Sequence, residues 1–312
     1  MERRKRFLIM AAAFCLAVMT AAASYAEVTP LGPDLTVHGQ PLQKDGWNAE
    51  NTVYQDGSIR AELFEDSVKP ASNKTKIPVF YAVVEITDPS QLRTTLSYES
   101  FENQGLAKAQ DMAKMVNAVV AISDDHSKFN RYRGYVMRQG VFYQDTLEKL
   151  SKPQDVLIID DGGDFHIVTK ASTESMEEQI ASLAAEGRKP VNIFTFGPAL
   201  VIDGVGQECK YEDSIHETHL PAARTVIGQL GPLKYFVMSI HGVNSKHYGM
   251  NAADMVEYIL QRFPECVCAY NLDGGNSSKM VWHGRLKSEP SGGRQSISGL
   301  IYFASAATEE NP

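Results

Sequence analysis

Short apolar runs, each closed by a polar turn, recur through most of this chain and limit what it can fold into. They predict strands at residues 59–64, 79–86, 91–97, 116–122, 135–139, 141–143, 156–159, 165–168, 192–196, 200–202, 225–227, 235–240, 268–272, 280–283 and 300–304. Apolar residues at helical spacing are rarer, and they predict helices at 106–115, 172–186 and 252–263. We therefore predict an α+β fold of mixed β-sheets flanked by single helices.

One turn between two of these runs is unusually rich in reactive and hydrogen-bonding groups. Residues 273–279 read Asp-Gly-Gly-Asn-Ser-Ser-Lys. Asp273 can bind a cation, hold a base or act as one, and Gly274 and Gly275 allow a close backbone approach or a positive φ. The turn also offers neutral hydrogen-bonding side chains, from Asn276, Ser277 and Ser278. A polar loop between strands can mount a binding or catalytic site on a rigid scaffold.

The first 26 residues have the pattern of an export signal. Four basic residues stand at positions 3–6, an apolar run follows at 7–23, and Ser24-Tyr25-Ala26 is a small-x-small cleavage sequence. The alternative is an uncleaved membrane anchor, although the run is slightly short for a span of ~20 residues. We predict cleavage after Ala26, an irregular lead-in over 27–58, one domain over 59–307 and a frayed tail over 308–312. The mature protein would then be secreted or extracytoplasmic, with no stable membrane span.

Charge and cysteines narrow the possible partners. The formal net charge is −8, and the signal contributes four basic residues and one acidic residue, so the mature chain is more acidic still. Such a chain is a poor candidate for binding nucleic acid. Cys209 could pair with Cys266 or Cys268 in an oxidising compartment, or all three could be small buried residues. Their spacing does not match a zinc site.

Several separated segments together resemble one family. Residues 271–281, with the Asp-Gly-Gly turn, resemble the signature of the phosphodiester glycosidase family, which includes enzymes and many bacterial envelope proteins. In the same order, residues 222–228 around Arg224-Thr225 resemble the family's Pro-Arg-Thr-x-x-Gly segment, and 197–204 resemble its Gly-Pro-x-Leu-x-x-Asp-Gly segment. Residues 119–125, 248–250 and 293–294 also fit in order, so the resemblance covers roughly residues 59–304.

The chain departs from the family pattern at a few positions. Ser123 and Asp124 replace an Asn-Gly pair before Asp125, and Asn276 replaces a third glycine. His241-Gly242-Val243 stands where the family has Asp-Gly-Arg, so an acid and an arginine are lost. These changes raise two alternatives, a shifted substrate or lost catalysis.

The resemblance implies cleavage of a sugar from a sugar-1-phosphodiester, whose leaving group is a phosphate monoester. Negative charge then accumulates on phosphate oxygens, and arginine can compensate it through two parallel hydrogen bonds. Arg224 is the first candidate for this role and Arg294 the second. Asp273, and after it Asp125, would support the anomeric carbon or activate water.

The resemblance also suggests which groups contact the substrate and which ions could assist. Apart from the catalytic Asp273, Asp125 and Arg224, the candidate substrate contacts are Gly274, Gly275, Asn276, Ser277, Ser278, Thr225, His241 and Arg294. Asp125 or Asp273 could instead hold calcium or magnesium, since both ions prefer oxygen ligands. His241 could equally be a half-buried core histidine, and Asp160-Asp161-Gly162-Gly163-Asp164 is better read as a hairpin turn than as a cation loop.

Three functions follow as alternatives. The first is an exported hydrolase of sugar-1-phosphodiesters that acts on a phosphorylated glycan of the envelope or outside the cell. The second is a non-catalytic phosphoglycan-binding envelope protein that keeps the fold, which the changed residues at 123, 124, 241 and 243 motivate. The third is an envelope protein whose main role is assembly with other proteins.

Overall fold

The structure is a computed structural model that describes residues 29–103, 105–125, 134–147, 152–209, 217–242, 248–288 and 296–308. The predicted signal at 1–26 and the candidate residues Val243 and Arg294 lie outside these ranges. Within them, none of the helices has both the length and the apolar character that a bilayer crossing requires. The predicted α+β class is confirmed, and the pairs between described strands are antiparallel.

The largest sheet has eight strands in the order β1-β2-β3-β15-β14-β16-β12-β13. Its strands are β1 (Val53–Gln55), β2 (Ile59–Val68), β3 (Ile77–Ile86), β12 (Ala199–Ile202), β13 (Val205–Gly206), β14 (Arg224–Gly231), β15 (Lys234–Ile240) and β16 (Cys268–Leu272). The central strands β14 and β16 are almost entirely buried, because both faces of this sheet are covered. This explains why their sequences are continuous apolar runs rather than alternating ones.

Two five-stranded sheets pack against it, in the orders β10-β9-β11-β7-β8 and β18-β17-β6-β20-β4. The first contains β7 (Gly134–Arg138), β8 (Val141–Thr146), β9 (Val156–Asp160), β10 (Phe165–Val168) and β11 (Pro190–Thr195). The second contains β4 (Leu92–Leu96), β6 (Ala118–Ser123), β17 (Met280–Trp282), β18 (Arg285–Ser288) and β20 (Gly299–Ala304). A two-stranded ladder of β5 (Ala107–Lys108) and β19 (Ser296–Ile297) completes the β-structure described.

In the part of the chain that the structure describes, each of the three large sheets has one α-helix on its outer face, and their inner faces share one core. Side chains of all three sheets meet in that core, among them Val237, Ile301 and Phe194. Outside it, α1 (Ala109–Met115) packs near β20, α2 (Thr173–Ala185) covers β9 and β11, and α3 (Ala252–Arg262) covers the eight-stranded sheet. The expectation of helices that occur singly on sheets is therefore confirmed.

The segment predicted as an irregular lead-in is partly ordered into the fold. Residues Val53–Gln55 form β1, which pairs with β2, so the prediction of an irregular segment is wrong at this point. Further upstream, the buried guanidinium of Arg93 donates to the carbonyl oxygens of Gly32, Asp34 and Val37, each at 2.9 Å. The Pro- and Gly-rich composition of the segment did not predict this order. The segment is held by the side chain of Arg93, which belongs to β4, and not by a periodic pattern of its own.

The three cysteines downstream of the predicted signal are free thiols in the structure. Cys266 and Cys268 are buried, and burial raises the pKa of the Cys266 thiol to about 12. All three pack among apolar side chains. The alternative of small buried residues therefore holds for Cys266 and Cys268, while Cys209 is a partly buried free thiol.

Candidate functional site

The turn at 273–279 lies where strands of two sheets end beside each other. It follows β16 in the eight-stranded sheet and leads into β17, which pairs with β6. The backbone N–H of Asp273 donates to the carbonyl oxygen of Asp124 at 3.2 Å. The turn thereby meets the end of β6, and the two acidic segments that the sequence identified separately, 124–125 and 273, become neighbours.

The two glycines of the turn allow contact with the start of β14. The N–H of Gly275 donates to the carbonyl oxygen of Ala223 at 2.8 Å, and Gly275 has φ +54. A Cβ added to Gly274 would lie 2.6 Å from that same oxygen. The close approach predicted from the sequence is therefore present, and the group approached is the protein's own backbone. These contacts hold Asp273 beside Arg224, which follows Ala223 and is the first residue of β14.

Arg224 is buried and is the first residue of β14. Its Nε donates to the carbonyl oxygen of Met250 at 3.2 Å, and its Nη2 donates to those of Leu220 at 2.7 Å and Glu217 at 3.3 Å. Burial lowers the pKa of Arg224 to about 10, while the negative charges of Asp273 and Glu217 act in the opposite direction. The guanidinium is therefore charged at neutral pH, and Asp273 is near enough to stabilise that charge.

Asp125 forms a buried ion pair with Arg138, a residue that the sequence analysis did not single out. Nη2 of Arg138 donates to Oδ1 of Asp125 and lies 3.4 Å from Oδ2 of Asp124. Oδ2 of Asp125 accepts the N–H of Thr195 at 2.6 Å. Burial raises the pKa of Asp125, and the positive charge of Arg138 opposes this shift. Both oxygens of Asp125 are thus held by the protein, on the inner side of the site.

Ser278 and Thr225, two predicted substrate contacts, have their hydroxyls in the protein interior. The hydroxyl of Ser278 accepts from Thr225 at 3.0 Å, donates to the carbonyl oxygen of Arg224 at 2.9 Å and lies 3.1 Å from the hydroxyl of Ser239. Ser278 is 1 % exposed and Thr225 is fully buried. These hydroxyls join the turn to β14 and β15, which is a positioning role.

The other predicted contacts of the turn lie nearer to solvent. Asp273, Asn276 and Ser277 are each partly exposed, as are the two glycines. His241 is also partly exposed at the end of β15, where its ring lies edge-on to Tyr248 with centroids 6.0 Å apart. The backbone N–H of His241 donates to the carbonyl oxygen of Pro78 at 2.9 Å. These residues form the accessible side of the arrangement.

Lys279 and Arg138 are the functional-site neighbours that sequence reasoning missed. Lys279 is fully buried, and its Nζ donates to the carbonyl oxygens of Asn276 at 3.0 Å and Ser278 at 3.3 Å. Arg138 is fully buried too, with its guanidinium 4.3 Å from the centroid of the Phe194 ring. The sequence did contain a signal, because each is a cationic residue within or beside a predicted buried strand. Lys and Arg are almost never fully buried unless they are paired, so a cation at such a position indicates a specific partner.

No group of three or more His, Cys, Asp or Glu side chains within the described ranges is arranged to hold a metal ion. Asp125 directs its oxygens to Arg138 and to Thr195, as described above. The chemistry that this arrangement offers is a partly exposed carboxylate, Asp273, beside a buried cation, Arg224. A second carboxyl, that of Asp125, follows Asp124 in the chain, and burial raises its pKa.

Comparison with known proteins extends this description. The sequence model of a family described as phosphodiester glycosidase matches residues 116–304, more than half of the chain. No curated protein sequence matches the chain significantly.

Solved structures share the fold at low sequence identity. One is the catalytic domain of zebrafish N-acetylglucosamine-1-phosphodiester alpha-N-acetylglucosaminidase, auto-inhibited by its pro-peptide. It is 16% identical with a TM-score of 0.61, and the match covers 86% of this chain and 87% of that one. A hypothetical protein from Synechocystis is 14% identical with a TM-score of 0.52, covering 78% of this chain and 62% of its own. The extent of the family match, together with the turn at 273–279 beside Arg224, shows that this chain belongs to the phosphodiester glycosidase family.

Proposed function

We propose that this protein is an exported hydrolase that cleaves a sugar from a sugar-1-phosphodiester in an envelope or extracellular glycan. The observation that carries the proposal is the position of Asp273. Its backbone is hydrogen-bonded to Asp124, and its charge acts on Arg224. This proximity of an acidic and a guanidinium group that are far apart in sequence supports the proposal, because the reaction uses both kinds of group.

Arg224 is proposed to receive the phosphate. Its Nε and Nη2 bind three backbone carbonyl oxygens, and its Nη1 has no hydrogen-bond partner among the described residues. The three bonds fix the guanidinium plane, so one N–H edge is held ready for a phosphate oxygen. A preoriented cation at the point where negative charge develops stabilises the transition state more than the ground state.

Asp273 is proposed to act at the anomeric carbon, either by activating water or by stabilising the oxocarbenium-like transition state. The bond from the anomeric carbon to the phosphate oxygen breaks, water supplies the new hydroxyl, and a phosphate monoester leaves. Because the second pKa of a phosphate monoester is ~6, the leaving group needs little help from a general acid. Asn276 and Ser277, on the accessible side of the turn, would orient the sugar.

The proposal of export rests on the sequence at 1–26, with its basic start, apolar run and small-x-small ending. Cleavage after Ala26 would leave Glu27 as the first residue. N-terminal sequencing of protein recovered outside the cytoplasm tests this. Recovery of the intact chain in the membrane fraction would favour the anchor instead.

The hydrolase proposal is tested by measuring sugar release from a panel of sugar-1-phosphodiesters, with and without calcium or magnesium. We expect release by the unmodified protein, and at least a ~10²-fold loss of kcat in Asp273→Asn, as for removal of a catalytic acid or base. Asp203→Asn is the matched control, because Asp203 is an exposed aspartate whose φ of +49 asparagine tolerates. Full activity in Asp273→Asn would refute the assignment.

A phosphoglycan-binding protein without catalysis is the second candidate. It is favoured by the engagement of both oxygens of Asp125 and of most of the Arg224 guanidinium with the protein itself. It predicts that phosphorylated glycans bind, that no sugar is released, and that Asp273→Asn changes affinity little. Isothermal titration alongside the release assay separates the two candidates.

A further inference from the structure

A cavity of about 300 Å³ lies at the other end of the first five-stranded sheet from the proposed active site. Its walls come from the lead-in, from the 3₁₀ turn before β4, and from the ends of β7, β9 and β11. The apolar part of the lining includes Leu31, Leu92, Ile159 and Val191. The mixture of apolar walls with a few polar groups is typical of small-ligand sites.

A buried amide group in this cavity has an unused donor. Gln139 lines the cavity and is 3 % exposed. Its Oε1 accepts from the N–H of Thr94 at 3.2 Å and from Nδ2 of Asn192 at 3.3 Å. Its Nε2 makes no hydrogen bond to any residue in the described ranges. Nε2 is not one of the fully buried atoms that lack a partner, so it reaches the cavity and can donate to an acceptor there.

The charges around the cavity nearly cancel, so they do not select an ionic ligand. Arg188 pairs with Asp160 through Nη2 at 2.8 Å and lies 3.6 Å from Asp161. Burial alone would raise the pKa of Asp160, but hydrogen bonds from His166 and Arg188 lower it overall, so Asp160 stays ionised and paired. The other charged lining residues are Asp88, Lys189 and Arg93, and the guanidinium of Arg93 donates to backbone carbonyl oxygens.

We propose that this cavity binds one uncharged sugar ring of the same glycan whose phosphodiester is cleaved at Asp273. A sugar ring has apolar faces, and its hydroxyls both donate and accept, which matches the lining and supplies an acceptor for Gln139. The volume is at the lower end of the ~300–1,000 Å³ usual for ligand sites, which limits the occupant to about one ring. The inference rests on the proposed function for the source of the sugar.

The cavity and the active site are joined by a single strand. Asn192 lines the cavity, and Thr195, three residues further along β11, binds Asp125. At ~3.3 Å per residue these positions are about 10 Å apart. A polymer bound both in the cavity and at the partly exposed Asp273 would be retained after each cleavage through a raised effective concentration.

The test is titration of N-acetylglucosamine, glucose and galactose into the purified protein, followed by ligand-observed NMR. We expect one of them to bind, with its affinity retained in Asp273→Asn. Val191→Trp should weaken binding at least tenfold, because Val191 is half-buried on the cavity wall. Val205→Trp, the same change at a residue that is 63% exposed on β13, should leave it unchanged. Should Val191→Trp fail to fold, Pro33→Trp places the same bulk at the exposed part of the lining.

The outcomes separate this inference from the proposed function. Absence of sugar binding, or unaltered binding in both tryptophan variants that line the cavity, would overturn the cavity assignment. Val191→Trp should still hydrolyse a small soluble sugar-1-phosphodiester at the normal rate, since that substrate reaches only the active site. If the unmodified protein binds sugar in the cavity but releases none from any phosphodiester, the sugar site stands and the hydrolase proposal fails.

Discussion

Arg138 shows how a single buried residue can support the candidate site without contacting solvent. Its guanidinium is completely buried and neutralises Asp125. Breaking a buried pair from one side leaves an uncompensated charge in the interior, which destabilises strongly. The residue is therefore expected to be essential for stability, and through Asp125 for the shape of the site.

We predict that Arg138→Met lowers the free energy of unfolding by about 3–5 kcal/mol at pH 7.5. The loss should be smaller at pH 5.5. With Arg138 gone, burial raises the pKa of Asp125 further above its unfolded value, so the folded state binds more protons and its stability falls as pH rises. Urea unfolding at both pH values measures this. In Arg60→Met, which removes an exposed partner of Glu62, we expect a change of only ~0–1 kcal/mol; an equal loss there would contradict the argument.

Gly274 is predicted to tolerate no side chain. In Gly274→Ala the new Cβ would lie 2.6 Å from the carbonyl oxygen of Ala223, so the turn must move away from β14. We expect a stability loss of ~1–3 kcal/mol and a fall in activity, because Asp273 moves with the turn. Gly231→Ala is the control, since an added Cβ there meets nothing within 4 Å. The measurement is thermal unfolding together with the sugar-release assay, and equal behaviour of the two variants would refute the prediction.

Among single residues, the sequence indicated the candidate acidic and guanidinium groups, but not the side chains that fix their positions. Asp273 and Arg224 were found from motif order, and the structure brings them together. Arg138 and Lys279 were missed because a charged residue in one sequence reads as a surface residue. Ser278 and Thr225 were assigned to substrate from the polar turn and the family resemblance. A motif does not show which way a side chain points, and both hydroxyls are buried in the structure.

Among the elements, α3 has the most direct link to the site. The side chain of Asn251 caps it by accepting the N–H of Asp254 at 2.9 Å. The preceding residue, Met250, accepts the hydrogen bond from Nε of Arg224. The start of the helix therefore helps to fix the orientation of the guanidinium, and disturbing the cap should disturb Arg224 as well.

We predict that Asn251→Ala costs about 0.5–2 kcal/mol of stability and also raises KM for the phosphodiester substrate. Ser172→Ala is the matched control, because Ser172 caps α2 in the same way, accepting the N–H of Ser175 at 3.1 Å, on the sheet that carries β9. It should lose similar stability and keep its KM. Thermal unfolding and steady-state kinetics measure both effects. A normal KM in Asn251→Ala would show that the start of α3 does not influence the site.

The sequence predicted most of the helices and strands, but it did not predict which of them contact each other. The helices found at Thr173–Ala185 and Ala252–Arg262 follow from their caps and periodicity. The helix predicted from 106 begins instead at Ala109, because Ala107 and Lys108 pair with β19. That pairing depends on residues nearly 190 positions away, which local patterns do not report.

For the whole molecule, the described lead-in is an integral part of the fold. Leu31, Leu35 and Tyr54 are buried, and three carbonyl oxygens of the segment bind Arg93. A truncation at the predicted domain start would therefore remove core side chains and leave a buried guanidinium without most of its acceptors. The sequence predicted only an irregular lead-in, because none of these contacts is local.

We predict that a chain beginning at Ile59 fails to fold, since a buried cation that loses its partners alone destabilises by several kcal/mol. A chain that ends at Thr308, without the polar residues 309–312, should unfold at the same temperature as the full protein. Circular dichroism and size-exclusion chromatography distinguish the two. A stable, monomeric chain from Ile59 would show that the lead-in is peripheral.

Asp124 follows β6 and Asp273 follows β16, so two acidic residues of the candidate site come from the ends of strands in two different sheets. A relative shift of those sheets would change the spacing of these residues. The tight packing of the core that the sheets share therefore sets how precisely the site is built.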